Sequence, residues 1–330
     1  MLARIAHQLY WVGRYVARAE HSSRLLESMM QASLHGPAQE GAIAPSWNEV
    51  MAVLGAGVDP DEEPELSAVQ AVRTLTLDRQ SPASVSWCMD SAREGAKTVR
   101  DVIPREMWEA LNTAYLELDA SDLGAALRTG PLSVYAYVRE RCALFWGLAE
   151  QTMLRDQAHS FLASGRHMEA ASVMLRVLRV SIYGVIEAPD RESDPSTDAQ
   201  ALALLQAVGG VEAFRRSRVG PAGIAEVVAF LLFEPRFPDS VASSIDLLAE
   251  RLREADAHQQ ISPPLLRLTR LRAELEFHGS APGRERSATE YAQELSDLLD
   301  GVDEELRRVH DEIEARYFAS AVEIGTVATA

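Results

Sequence analysis

Two long stretches of this sequence repeat apolar residues at steps of three and four, and this pattern limits the possible folds more than any other feature. They cover residues 2–34 and 287–318. Such steps place apolar side chains along one side of an α-helix that packs against other helices. The positions are Leu2, Ile5, Leu9, Val12, Val16, Ala19, Leu26 and Met30, and then Tyr291, Leu295, Leu298, Val302, Leu306, Val309, Ile313 and Tyr317. The pattern predicts a helical bundle that begins and ends with a long amphipathic helix.

The chain between these stretches also favours helices. Ala, Leu, Glu and Arg dominate it, and runs of Val, Ile and Thr are short, which is typical of helical proteins. We expect no β-sheet. Further long helices are predicted at 82–102, with Pro82 in its first turn, and at 132–160, within a helical stretch over 132–186 that contains a possible interruption at Gly165. Other helices are expected near 46–56, before Leu77, and near 104–118, 199–207, 211–217, 222–233, 239–258 and 263–276, with loops at 35–45, 59–64, 187–198 and 279–286.

The sequence contains an internal repeat. An offset of 152 residues aligns Gly13-Arg14 with Gly165-Arg166, Ala19 with Ala171, Arg24 with Arg176, and Leu26 with Leu178. An offset of 156 aligns residues 75–85 with 231–241. Two matches at nearly one offset indicate a duplicated unit. We therefore expect one domain over 1–330, an all-α helical bundle built from two pseudo-symmetric, duplicated halves at about 1–150 and 151–318, followed by a mobile tail at 319–330.

Charge and cysteine content limit the class of protein. The formal net charge is −17, which argues against nucleic acid as a partner. Cys88 and Cys142 are the only cysteines and lie outside any metal-binding spacing, so no metal site is predicted and a reducing, cytoplasmic location fits. No apolar stretch approaches the length of a membrane span, so no membrane is expected as a partner.

The motifs of several enzyme classes are absent from the sequence. It has no GxxxxGK[ST] phosphate loop, no GxGxxG after a strand, and neither HExxH nor GxSxG. Arg accounts for all 32 Lys and Arg residues except Lys97, which fits either GC-rich codon usage or bidentate contacts that Lys cannot make. No cofactor is predicted, and the catalytic residues, if there are any, stay unknown.

One face of the first helix carries candidate functional residues. Tyr10, Trp11, Arg14 and Arg18 lie opposite the apolar positions, where a plain surface helix would not collect them. Arg14 and Arg18 are four residues apart, and like charges at this spacing repel unless an anion lies between them. That anion is either a carboxylate of this chain or a ligand phosphate.

Further polar residues complete the candidate cluster. Glu20 and Arg24 form an i,i+4 pair, which is most simply a salt bridge. The others lie on otherwise apolar segments or on the repeated helix, and in the 78–112 region Ser81 or Ser84 is a candidate helix cap. They are Asp78, Arg79, Arg93, Arg100, Glu106, Trp108, Asn112, Arg166 and Glu169.

The segment LYWVGRYVARAE at residues 9–20, followed by Arg24-Leu25-Leu26, resembles the opening of the alpha-E domain family. The resemblance continues through residues 77–84, 92–94, Arg100 and 106–112, and recurs at 161–178 and 231–241. It implies an all-helical protein found beside, or fused to, circularly permuted ATP-grasp proteins. The family's Glu-Arg motif is altered twice, to Ala17-Arg18 and to Glu169-Ala170.

The resemblance leaves two functions open. In the first, the chain is a helical partner subunit that docks on an ATP-grasp-type ligase and shapes it, in a system for peptide or amide-bond formation or modification. In the second, the chain is itself an enzyme acting on a small amine or peptide at an Arg/Glu-lined site between the two halves.

The altered motifs predict one specific contact. If a pseudo-twofold axis relates the halves, position 17 faces 170 and position 18 faces 169. Ala at both 17 and 170 removes one pair completely, whereas Arg18 and Glu169 both remain. Losing one partner of a buried pair costs ~3–5 kcal/mol, so joint loss is the tolerable route. We predict an Arg18–Glu169 salt bridge, with an alternative pairing of Glu169 to Arg166 on its own helix.

Overall fold

A computed structural model describes residues 1–35, 46–58, 65–120, 123–187, 195–217, 223–256, 262–280 and 288–319. Every regular element in these ranges is a helix, and they contain no strand. The predicted all-α class is therefore confirmed. No helix in the described ranges is long and apolar enough to cross a membrane.

The first seven helices precede a short break at residues 153–156. They are α1 (Ala3–His35), α2 (Trp47–Val53), α3 (Ala68–Leu77), α4 (Val85–Thr98), α5 (Arg105–Ala120), α6 (Leu123–Thr129) and α7 (Pro131–Thr152). Seven more follow, of which the last continues into a π-helical turn at Glu314–Phe318. They are α8 (Gln157–Glu187), α9 (Pro195–Val208), α10 (Val211–Ser217), α11 (Ile224–Phe233), α12 (Val241–Ala255), α13 (Pro263–Ser280) and α14 (Ala288–Ile313).

Helices α1 and α8 form the centre of the bundle and make its most extensive contact. Helices α4 and α7 pack on α1, and helices α12 and α14 pack on α8. Helix α5 lies against α4 and α7, as helix α13 lies against α12 and α14. The apolar side of α1 is buried as predicted, since Leu9, Val16 and Leu26 have no exposed surface.

Glycines allow α1 and α8 to cross at very short distance. A Cβ atom on Gly13 would overlap the carbonyl oxygen of Leu162 in α8. A Cβ atom on Gly165 would overlap the carbonyl oxygen of Tyr10 in α1. The two contacts are equivalent, because Leu162 lies three residues before Gly165 and Tyr10 lies three residues before Gly13. Gly165 serves this crossing and does not interrupt α8, which is continuous through it.

Polar caps fix the ends of the surrounding helices. The Ser84 hydroxyl accepts a hydrogen bond from the backbone N–H of Trp87, so Ser84, one of the two predicted candidates, caps α4. Ser240 caps α12 in the same way. Each hydroxyl also donates back to the residue that ends the preceding helix, Ser84 to the Asp78 carbonyl and Ser240 to the Glu234 carbonyl. Such caps typically contribute ~1 kcal/mol each.

Several predicted boundaries are wrong. The helix expected over 82–102 is Val85–Thr98, because Ser84 and not Pro82 starts it. The stretch expected to be helical over 132–186 breaks after Thr152, since Asp156 accepts hydrogen bonds from the N–H groups of residues 158 and 159 and begins α8. Helix α6 was not anticipated. The predicted loop at 187–198 is too long, since α9 already begins at Pro195. The predicted loop at 59–64, and all but the first residue of the predicted loop at 35–45 and of the predicted tail at 319–330, lie outside the described residues.

Candidate functional site

The carboxylate of Glu169 lies where α1 and α8 cross and has no exposed surface. The Arg18 guanidinium donates to both of its oxygens, from Nε to Oε1 at 2.7 Å and from Nη2 to Oε2 at 3.0 Å. Arg14 donates from Nε to Oε2 at 2.8 Å. The predicted Arg18–Glu169 salt bridge is therefore present, and the anion between Arg14 and Arg18 is a carboxylate of this chain.

A third arginine, Arg176, completes what we call the Glu169 cluster, which consists of Glu169, Arg14, Arg18 and Arg176. Its Nη2 atom lies 3.8 Å from Glu169 Oε1. Burial alone would raise the pKa of the Glu169 carboxyl, but Arg18 and Arg14 outweigh it and hold the pKa well below its usual range. Burial lowers the pKa of Arg176, whose longer contact offsets less of that effect. The cluster therefore holds three guanidinium groups around one carboxylate that is ionised at neutral pH.

Aromatic rings enclose the Arg14 side of the cluster. The Arg14 guanidinium lies over the Trp11 ring, 4.9 Å from its centroid. Tyr10 is completely buried and its hydroxyl lies 3.1 Å from His310 Nδ1, while the two rings stack at 5.8 Å. Burial, with help from Arg14, lowers the pKa of His310, so this histidine is neutral at pH 7. Tyr10 is thus part of the core, and Trp11 is the half-buried member of the predicted aromatic face.

Three half-buried rings continue from the cluster towards solvent. Trp11 packs on Tyr15 at 5.4 Å, and Tyr15 meets the Trp87 ring edge-on at 5.1 Å. Arg18 is 16% exposed, and its Nη1 atom donates to the Pro82 carbonyl at 3.3 Å. Trp11, Tyr15, Arg18 and Trp87 are called the aromatic–arginine face below. Because Glu169 and Pro82 fix the guanidinium, the face is held in one arrangement.

The residues predicted around 78–112 form a separate group outside the Glu169 cluster. Arg93 donates to Asn112 at 2.9 Å, lies 4.5 Å from the centre of the Tyr115 ring, and contacts the Trp108 ring at 5.7 Å. Arg100 also lies over the Trp108 ring, 5.6 Å from its centroid. None of the hydrogen bonds or ion pairs between described residues joins this group to Glu169.

The remaining members of that group are surface or capping residues. Arg79 pairs with Asp119 at 2.5 Å, and both side chains are about half exposed. Asp78 ends α3 and accepts from the Gln80 N–H at 2.8 Å. Glu106 lies in the first turn of α5, where a negative charge is favourable.

The other predicted residues on α1 and α8 have simple partners. Arg24 and Glu20 form the expected i,i+4 pair at 3.4 Å. Arg166 does not pair with Glu169, so that alternative was wrong; its guanidinium instead lies 4.6 Å from the centre of the Trp146 ring. Ala17 and Ala170, which stand at the altered motif positions, are both buried.

Sequence reasoning missed four residues of this region, Tyr15, Trp87, Arg176 and His310. Tyr15 and Trp87 lie at the helical spacing of core residues, so the local sequence does not distinguish them from ordinary residues of the core. Arg176 was noted as the repeat counterpart of Arg24 and not as a partner of Glu169. Both residues lie on α8, seven residues apart, so the usual i,i+3 and i,i+4 pairings did not point to this contact.

The geometry limits what the cluster can do chemically. Both Glu169 oxygens accept hydrogen bonds from arginine, and the carboxylate is inaccessible to a substrate. A general base must reach the proton that it removes, directly or through one water. Among the described residues, no group of three or more His, Cys, Asp or Glu side chains is placed to hold a metal ion. The cluster is suited to fixing two helices and the aromatic–arginine face.

An all-helical chain with a buried Glu-Arg cluster at the crossing of its two central helices defines the class of protein. The Alpha-E family, described as a predicted alpha-helical domain with a conserved ER motif, matches residues 1–318. The chain belongs to this family.

The chain is also similar to longer proteins of mycobacteria. The chain is 24% identical over 333 aligned positions to uncharacterized proteins of Mycobacterium bovis and of two strains of Mycobacterium tuberculosis. The match covers 96% of this chain and 37% of each relative, so the chain spans little more than a third of their length. No solved structure shows significant similarity to the chain.

Proposed function

We propose that this chain is a non-catalytic helical subunit that docks on an ATP-grasp-type ligase and shapes it, in a system that forms or modifies peptide or amide bonds. The class of partner comes from the family resemblance of residues 9–26 and their recurrence at 161–178. The observation that carries the docking role is the aromatic–arginine face.

The face has the chemistry of a protein interface. Trp, Tyr and Arg are the residues that most often dominate binding energy at interfaces. Here Trp11, Tyr15 and Trp87 contact one another in a half-buried row, and Arg18 is fixed beside them. Ring contacts and the hydrogen bonds of Arg18 already restrict these side chains, which lowers the cost of ordering them on binding.

Charge and the relatives' size support the same role. Three guanidinium groups surround one carboxylate at the Glu169 cluster, which leaves positive charge beside the face and favours an acidic segment of the partner. In the mycobacterial relatives, the matched region occupies 37% of a longer chain. A domain that works against a second domain can be fused to it, since the contact then forms within one molecule.

The test is co-purification of the chain with the ATP-grasp protein encoded beside it, followed by ATP-turnover assays with and without this chain. We expect a complex, and turnover that changes when the chain is added. Trp11→Ala and Trp87→Ala should each weaken binding by 10-fold or more, since hot-spot truncations cost ~2 kcal/mol or more.

Trp108→Ala provides the matched control, because this half-buried Trp of α5 packs with Arg93 on α4 and with Arg100 in the loop after α4, away from the face. It should bind like the unchanged chain. Failure to co-purify, or equal loss in Trp108→Ala, would overturn the proposal. The isolated chain should show no micromolar ATP affinity in calorimetry; such an affinity would favour an enzyme instead.

The alternative function, an enzyme acting on a small amine or peptide at an Arg/Glu-lined site between the halves, has less support at Glu169. That carboxylate is buried and both of its oxygens are occupied by arginine. A ligand would have to displace Arg14 or Arg18 to reach it.

A further inference from the structure

A second polar region lies on the other side of α8. The end of α7, helix α8, and helix α12 with the loop before it line a cavity of about 290 Å³. Arg155, His159, Arg166 and Asp239 are among its lining residues. It opens to solvent beside Glu150 and Arg155, whose side chains are 52% and 53% exposed. Its size is near the lower end of the ~300–1,000 Å³ range of small-molecule sites.

The charged groups of the cavity are unequally compensated. Arg155 pairs with Glu150 at 2.6 Å, and Arg251 pairs with Glu254 at 2.7 Å. Arg166 and Asp239, in contrast, make no ion pair with any residue in the described ranges, and the Arg166 guanidinium lies over the Trp146 ring. One cation and one anion without counter-charges therefore face the same small space.

A buried histidine supplies a further unused polar atom. His159 is 2% exposed, and its Nδ1 atom forms no hydrogen bond within the described part of the chain. Leaving a buried polar atom unsatisfied costs ~1–3 kcal/mol. Burial lowers the pKa of His159, and burial followed by Arg166 lowers that of His167 to about 3. Both rings are neutral at pH 7. They can therefore form hydrogen bonds with a ligand, while Arg166 remains the group that attracts its negative charge.

The cavity lies where small residues replace large ones in the repeat. At the 152-residue offset, Ala163 corresponds to Trp11 and Ala170 to Arg18. In the first half, Trp11 packs beside Arg14, and Arg18 reaches the Pro82 carbonyl. Pro238, the counterpart of Pro82 at offset 156, lines the cavity with both alanines. The volume that Trp11 and Arg18 fill near α4 is thus left empty near α12.

We propose that this cavity binds a free amino acid, with the ligand carboxylate at Arg166 and its ammonium group at Asp239. The guanidinium is fixed over Trp146 and can donate two hydrogen bonds to a carboxylate. Asp239 and Arg166 together match a ligand that carries both charges, whereas inorganic phosphate or a simple amine would satisfy only one. This site lies apart from the aromatic–arginine face, so it stands or falls independently of docking on a ligase.

The test is isothermal calorimetry of the whole chain with glycine, L-alanine, L-serine and L-glutamate, and with inorganic phosphate. We expect at least one amino acid to bind with a Kd of about 1 mM or tighter. Its N-acetyl and methyl-ester forms, which each remove one charge, should bind at least 10-fold more weakly. The proposal would be overturned if no amino acid binds or if only phosphate binds. It would also be overturned if the N-acetyl and methyl-ester forms both bind as tightly as the free amino acid.

Variants locate the site. Arg166→Met and Asp239→Asn should each weaken binding at least 10-fold, and Ala163→Trp should abolish it by filling the cavity. Arg105→Met is the control, since Arg105 is 88% exposed and pairs only with Glu109. Each variant must keep the circular dichroism of the unchanged chain. Asp239→Asn tests the site even if Arg166→Met misfolds, and unchanged affinity in a folded Asp239→Asn or Arg166→Met protein contradicts the assignment.

Discussion

At the scale of single residues, Glu169 is the carboxylate that contacts the guanidinium groups of Arg14, Arg18 and Arg176. Glu169→Gln keeps the shape but leaves Arg14 and Arg18 without a counter-charge. We expect the free energy of unfolding to fall by ~3–5 kcal/mol, measured by urea denaturation. A change below ~1 kcal/mol would mean that the cluster contributes little to stability.

A double-mutant cycle isolates the Arg18 contact. Arg18→Met and Glu169→Gln, made singly and together, should show a coupling above ~1 kcal/mol. The pair Arg79–Asp119 serves as control because both side chains are about half exposed; its coupling should stay below ~1 kcal/mol. Equal coupling at the two sites would contradict the special role of the buried pair.

The depressed pKa of Glu169 also predicts a pH dependence. The folded pKa lies below the unfolded value of ~4.3, so the stabilisation by Glu169 is complete above that value. It is lost as the pH falls from there towards the folded pKa. The stability difference between the unchanged chain and Glu169→Gln should therefore be constant at neutral pH and shrink as the pH falls below about 4.3 towards the folded pKa. A difference that does not vary with pH would contradict this assignment.

The sequence predicts part of this cluster because the motif positions and the repeat carry information about pairing. Arg18 and Glu169 could be matched since their neighbours, Ala17 and Ala170, had both changed. The contribution of Arg14, Arg176 and His310 could not be predicted. The contacts of Arg14 and His310 span 155 and up to 300 residues and depend on how the helices pack. Arg176 lies seven residues from Glu169 on the same helix, outside the i,i+3 and i,i+4 spacings.

At the scale of elements, the close approach of α1 and α8 depends on Gly13 and Gly165. Gly13→Ala would place a Cβ against the Leu162 carbonyl, which is backbone and cannot move aside cheaply. We expect thermal unfolding to show a loss of at least ~1–3 kcal/mol, the usual cost of overpacking. Gly147→Ala is the matched control in α7, where a Cβ meets nothing within 4 Å, and should gain ~0.5–1 kcal/mol. The same sign of effect in both variants would contradict the crossing.

The helices could be predicted where a local sequence pattern determines them. Their boundaries could not be predicted where contacts with other helices outweigh the local pattern. The apolar steps of α1 and α14 gave their extents to within a few residues, with a π-helical turn ending the last helix. The low helix propensity of glycine suggested a break at Gly165. The glycine instead allows α8 to approach α1 closely. The real break has no Pro or Gly, and only Asp156 marks it as a helix start.

At the scale of the whole molecule, the first set of helices, α1 to α7, and the second set, α8 to α14, depend on each other. Helices α1 and α8 make the most extensive contact in the bundle with one another. Helices α4 and α7 pack on α1 as α12 and α14 pack on α8. This equivalence and the reciprocal glycine contacts support the proposed duplication. Glu169 belongs to the second set, whereas its two closest arginines belong to the first.

Neither half should therefore fold alone. A fragment of residues 153–319 would expose the α8 face and leave Glu169 without Arg14 and Arg18, and a fragment of residues 1–152 would expose the α1 face. We expect each fragment to lack a cooperative thermal transition, and the two co-expressed fragments to co-purify as one complex with the helical circular dichroism of the whole chain. The Gly165→Leu variant of the second fragment should abolish this complementation, because a side chain there cannot fit against the Tyr10 carbonyl. A cooperatively unfolding isolated half, or complementation that tolerates Gly165→Leu, would show that the halves are independent domains and that the Glu169 cluster does not join them.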